Sequence, residues 1–139
     1  MAGENGIDLR HASPNLPAPG GHYSHTATGQ GLVFVSGQLP IRPDGTRLVD
    51  AGFEDQARQA LDNLAAALAL AGSGVDRLLQ VRVYLDDIAH WPAFDRLYAD
   101  WAGAHRPARA VVPTGALHFG LKVEIEAVAL ACASRAPAT

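Results

Sequence analysis

The feature that most constrains this chain is a change in hydrophobic period partway along it. From about residue 54 to 71, Ala57, Ala60, Leu61, Leu64, Leu68 and Ala71 recur at spacings of three and four, the mark of an amphipathic helix that Gly72 stops. From residue 79 the period falls to two: Leu79, Val81, Val83 and Leu85 alternate with Gln80, Arg82 and Tyr84, as in a strand with one buried face. A second helix follows from about 92 to 104, with Trp91, Phe94, Leu97, Tyr98 and Trp101 on one side and Pro92 where a first turn accepts proline. Two closing strands, at about 109–114 and 121–131, complete the pattern.

Upstream, the turn signal Gly29-Gln30-Gly31 precedes Leu32-Val33-Phe34-Val35-Ser36, predicting a hairpin, with short strands at 7–10 and 24–28 around a Pro/Gly-rich loop. The order β-β-α-β-α-β-β puts two apolar-striped helices on one face of a mixed sheet, an α+β two-layer sandwich. The other sheet face is left without cover. There the last strand presents Glu124, Glu126, Val128 and Leu130, a mixture of carboxylates and large apolar groups expected to meet another subunit.

With 139 residues the chain suits one domain, globular over about 15–131. Its net charge is −3 and Lys122 is its one lysine, which argues against a nucleic-acid partner. The 18% of charged residues is low for a small domain and fits surface buried between copies. Cys132 is the one cysteine, so no internal disulfide forms, and it reads as a buried or terminal thiol. No basic-then-apolar leader opens the sequence, and the apolar run at 64–71 is too short to cross a bilayer, so the expectation is a cytoplasmic protein without a membrane partner. The six histidines show no metal-ligand spacing, and no Gly-rich phosphate loop follows a strand. Neither metal nor cofactor is expected.

Arg109, at the entry to an apolar strand, needs a partner. It either clamps a small carboxylate through two parallel hydrogen bonds or forms a structural ion pair, with Glu124 or Glu126 as candidates. Glu124 and Glu126 share one strand face. Beside apolar neighbours such a glutamate gains a raised pKa suited to acid/base work, while at a solvated edge it is merely a surface charge. Tyr23, after Gly20-Gly21-His22, is either a ligand contact or loop packing. The Ser36-Gly37-Gln38 turn either turns backbone donors toward a ligand or simply ends a strand. Asp95 reads as an exposed residue on the polar side of the second helix.

Taken together, Val33-Phe34-Val35-Ser36-Gly37-Gln38-Leu39-Pro40, the helix segment at 56–64, Arg106-Pro107-Ala108-Arg109 and Val123-Glu124-Ile125-Glu126-Ala127-Val128-Ala129 resemble the Rid (YjgF-like) family, also called L-PSP endoribonuclease-like. The resemblance covers about residues 15–131. It implies a chorismate-mutase-like α+β fold and a homotrimer with clefts between subunits. There Arg109 would hold a substrate carboxylate and Glu124 a water, with Tyr23, Gly37, Asp95 and the backbone at Val111 contributing. The implied reaction is cofactor-free hydrolysis of 2-imino acids or their enamine tautomers to 2-keto acids and ammonia. The alternative is a non-catalytic oligomeric module that binds a small metabolite or has a regulatory role through the same cleft. Ribonuclease activity, attached to some relatives, is opposed by the acidic balance. The chain departs from the deaminase pattern at Asp95 (often Asn), Ala110 (Ser), Val111 (Cys) and His118 (often Pro). A negative Asp95 bordering the cleft would disfavour a carboxylate substrate.

Overall fold

The computed structural model describes residues 3–132. The chain runs β1 (Asp8–Arg10), β2 (Thr26–Gly29), β3 (Leu32–Gln38), α1 (Phe53–Leu70), β4 (Leu78–Leu85), α2 (Trp91–Ala102), β5 (Ala108–Pro113) and β6 (Val123–Leu130). One six-stranded sheet has the order β1-β2-β3-β6-β4-β5. All neighbours are antiparallel except β4 and β5. A parallel pair cannot be joined by a tight turn, and α2 supplies the crossover. The expected hairpin is β2–β3. Its two turn residues, Gln30 (φ 53°) and Gly31 (φ 77°), both adopt the left-handed conformation that a two-residue turn matching strand twist requires.

The core lies between the sheet and the two helices. Ala57, Ala60, Leu61, Leu64 and Leu68 of α1 and Phe94, Leu97 and Tyr98 of α2 are buried against Val81, Val83, Val123, Ile125 and Ala129. The α+β two-layer reading therefore holds, although three strands and not two precede α1, and two side-chain placements are corrected. Trp91 stands at the first position of α2 and is 41% exposed, and Trp101 is only partly buried. Leu79 was placed with the inward set of β4, but a register shift between Leu78 and Gln80 inserts one extra residue against β6, so Leu78 turns in and Leu79 is left exposed.

A second shift lies between Val35 and Gln38 of β3, where Ser36 and Gly37 together oppose one residue of β6. Such a bulge bends the strand and re-aims its side chains. It falls beside Glu124 and Glu126. Two buried amides of α1 anchor the neighbouring loops. Asn63 Nδ2 donates to the carbonyls of Leu39 (3.0 Å) and Ile41 (2.8 Å), and Gln56 Oε1 accepts from Lys122 N (2.9 Å). On the uncovered sheet face Phe34 is 50% exposed opposite Val128, and Leu130 is exposed as well.

Candidate active site

The alternation of β6 puts Val123, Ile125, Ala127 and Ala129 in the core and turns Glu124 and Glu126 to the open face. The two glutamates differ in their partners. Glu126 accepts from Tyr84 Oη at 2.7 Å and from Arg82 Nη1 at 3.1 Å, both reaching across from β4. Tyr84 is held in its protonated form mainly by that bond. The Glu124 carboxylate has no hydrogen-bond partner among the described residues. Burial pushes its pKa up, with the charge of Glu126 adding to the rise and His118 opposing it.

Glu124 borders a recess of about 320 Å³ with Tyr23, Ser36, Gly37 and His118. The β3 bulge brings Gly37 so close that a Cβ there would overlap the Glu124 carboxylate. A larger residue there would push the Glu124 side chain aside, so glycine leaves that carboxylate its place; the close approach sets this, not the dihedral angles of Gly37. Ser36 is pinned by its hydroxyl to the Ser24 carbonyl (2.6 Å), and its amide bonds the His25 carbonyl (2.9 Å). Tyr23 is 47% exposed, its hydroxyl accepting from Gly20 N at 3.2 Å. Along the sequence His118 shares no ligand-like spacing with the other histidines. Its neighbours in this recess come from distant parts of the chain, so no local spacing could mark it.

Arg109 sits elsewhere. Its Nη1 donates to Asp95 Oδ1 of α2 at 2.9 Å, and its guanidinium lies 4.8 Å from the Tyr98 ring centroid. Of the candidate partners, neither Glu124 nor Glu126 is the one. Asp95 is, and so it is not merely an exposed residue on the helix. Arg109, Asp95 and Tyr98 line a cleft of about 550 Å³ together with His105 and Arg106. Tyr98 is kept protonated by burial, and its hydroxyl has no partner among the described residues. Val111 is two residues further along β5, half-buried and paired with Val83. Cys132 is exposed, which removes the reading of a buried thiol.

The strand register shows why one chain does not unite the two halves. Arg109 pairs with Val81, whose other partner is Ala127, and all three turn toward the helices. Glu124 pairs with Tyr84 on the opposite face, and Tyr84 pairs with Val112 of β5. The two residues are therefore two strands and three residues apart, roughly 14 Å at Cα by ideal sheet spacings, with side chains on opposite faces. Within one chain Glu124, Tyr23 and Gly37 are gathered, and Arg109 and Asp95 are gathered. The two groups are not.

This fold, with its bulge at Gly37 and the strand carrying Glu124, is that of the Rid family, and the chain belongs to it. The family model described as Endoribonuclease L-PSP matches residues 13–131. Protein HMF1 of Saccharomyces cerevisiae is 38% identical over 115 residues, covering 83% of this chain and 88% of that one. Human 2-iminobutanoate/2-iminopropanoate deaminase is 32% identical over 124 residues, covering 88% and 90%. Among solved structures, YyfA of Yersinia pestis, described as a protein of unknown function of the conserved Rid protein family, superposes with a TM-score of 0.83 at 34% identity, covering 89% of this chain and 98% of that one. No helix of the described residues is long and apolar enough to cross a membrane.

Proposed function

We propose that the protein hydrolyses small 2-imino acids, or their enamine tautomers, to 2-keto acids and ammonia, in a cleft formed where two copies meet in a homotrimer. The observation that carries this reading is Glu124: a half-buried carboxylate without a partner among the described residues, beside a bulge whose glycine leaves it room, in a recess of small-molecule dimensions. The human relative's name describes this chemistry. The uncovered sheet face, with Phe34 and Leu130 exposed, gives a second copy something to cover.

In this reading Arg109 of one copy fixes the substrate carboxylate, using guanidinium edges that Asp95 leaves free. Glu124 of the neighbour holds a water against the imine carbon and takes its proton as the C–O bond forms. That proton passes to the nitrogen. Glu124 then carries the hydroxyl proton of the resulting carbinolamine to its amino nitrogen, the C–N bond breaks as the carbonyl forms, and ammonia departs. The C=N bond is already electrophilic, so the residues only position and transfer protons. Tyr23 and the Gly37 and Val111 backbones border the bound molecule. A cytoplasmic location suits a chain with one cysteine.

The test is a coupled assay in which an amino-acid oxidase or dehydratase releases the imine and 2-keto acid formation is timed. Wild type should accelerate hydrolysis above buffer, and Arg109→Ala should lose most of that acceleration while light scattering shows the assembly unchanged. A wild-type protein that does nothing beyond buffer would refute the hydrolase reading. One observation favours the alternative, a module that binds a small metabolite without turnover: the Arg109 cation is already paired with Asp95 inside its own chain. That alternative predicts binding of a keto acid with no acceleration.

A further inference from the structure

We infer that a second cavity, opening beside the Glu124 recess, receives the substrate's side chain and suits a bulky apolar or aromatic one. This rests on the proposed hydrolysis and names the substrate class for it. An imine carbon carries three substituents: the carboxylate, the nitrogen and the side chain. With the carboxylate held by Arg109 and the nitrogen and water served by Glu124, the side chain needs a third direction. The structure supplies one. A cavity of about 440 Å³ adjoins the recess and shares Tyr23, Gly37, Leu39 and His118 with it as a common wall. A methyl or ethyl group would touch few of its walls, whereas a phenyl or branched alkyl group would reach more of them.

The lining points to an apolar occupant. Pro17, Ile41 and Phe119 face the cavity along with Tyr23 and Leu39. Three of its polar side chains, His25, Gln38 and Asp44, are engaged locally. The His25 ring bonds the Pro17 carbonyl (2.7 Å) and Gln38 Nε2 (3.2 Å), and Asp44 accepts from the amide of Thr46 (2.9 Å). The Arg47 guanidinium lies 3.6 Å over the Phe119 ring, covering one face of it. Arg47 and Asp44 carry opposite charges at this wall, so no net charge calls for an ionic side chain. One stretch of the wall is also anchored before any ligand arrives: Asn63 ties down Leu39 and Ile41 through their carbonyls. A wall held in this way costs little ordering when the cavity is filled.

The test uses stable 2-keto acids as probes, titrated calorimetrically into the assembled protein: 3-phenyl-2-oxopropanoate against 2-oxobutanoate. Wild type should bind the phenyl acid at least about tenfold tighter, as expected from the extra apolar area removed from water. Ile41→Trp, which narrows the cavity, should weaken that preference. Phe119→Ala, which opens it, should reduce the preference and serves if Ile41→Trp does not fold, with circular dichroism reporting folding. Equal affinities in wild type, or a preference undiminished in both variants, overturns the inference. If imine hydrolysis depends on Arg109 but no phenyl preference exists, only this inference falls. If neither probe binds and no imine is hydrolysed, the proposed function falls with it.

Discussion

The two charged centres of this molecule are built in opposite ways. Arg109 faces the helix layer and is satisfied within its own chain, by Asp95 at 2.9 Å and by the face of Tyr98. Glu124 faces the uncovered layer, partly desolvated and unbonded to any described residue, while its neighbour Glu126 absorbs both Tyr84 and Arg82. A satisfied charge is cheap to fold and must give something up to bind a ligand. An unsatisfied one burdens the fold and is ready for a ligand or a water. The difference shows which half of the cleft is prepared for chemistry and which for holding.

The sharpest way to break that contrast is Glu124→Gln, which keeps shape and removes the base. Imine hydrolysis should fall by about 10² to 10⁴, the usual worth of a positioned acid/base group. In wild type the base must be ionised, and its pKa is raised from the ordinary 4.5, so the acid limb of the kcat/KM profile should lie above 4.5 and vanish in the variant. The stability effect has the opposite sign. A folded-state pKa above the unfolded one means that Glu124's contribution is complete below the unfolded value and is lost as pH rises through the folded value. At neutral pH Glu124→Gln should therefore melt no lower than wild type, and a clear drop in Tm there would show that Glu124 is a structural residue after all.

Gly37→Ala comes next. The new methyl group would overlap the Glu124 carboxylate, and the flexible side chain would yield before the backbone does. A reacting group misplaced by about 1 Å can cost up to two orders of magnitude, so we expect a loss of about ten- to a hundredfold in kcat with KM for the imine changed much less. Unaltered kcat would mean that Glu124 has room to spare and that the bulge does not set its position.

How much of this could be read from the chain divides along the same line. Periodicity placed both helices, the β4 and β6 strands and the open face correctly, because side-chain alternation is a local property of sequence. It misplaced Leu79, since a bulge is decided by pairing with a partner strand and leaves no mark in the strand's own pattern. Glu124 and Glu126 were correctly put on one face, but nothing local says that Tyr84 and Arg82 would choose Glu126. Asp95, on the helix before β5, was read as an exposed residue, and its pairing with Arg109 appears only when α2 is laid across the sheet. His118 and the apolar cavity beside it are assembled from three separate segments, beyond the reach of any spacing argument.

Asp95→Asn is expected to have the smallest effect, and it probes the holding half of the contrast. The amide keeps an acceptor oxygen in place for Arg109 Nη1 and deletes the negative charge. Asp95 is 43% exposed and Arg109 21%, so the pair is partly screened, and its loss should change stability by less than about 1 kcal/mol. Binding should respond more distinctly. With Asp95 charged, a carboxylate ligand approaches a guanidinium whose charge is already half-spent on a neighbour; with Asn it meets a free cation. The affinity for 2-oxobutanoate should rise by a few-fold, up to about tenfold, while that for its uncharged amide should stay flat, because only the anion feels the deleted charge. If both probes tighten together, the change is one of shape. If the acid weakens, Asp95 serves to aim the guanidinium, and the paired arginine is then as prepared for its ligand as the unpaired glutamate across the sheet.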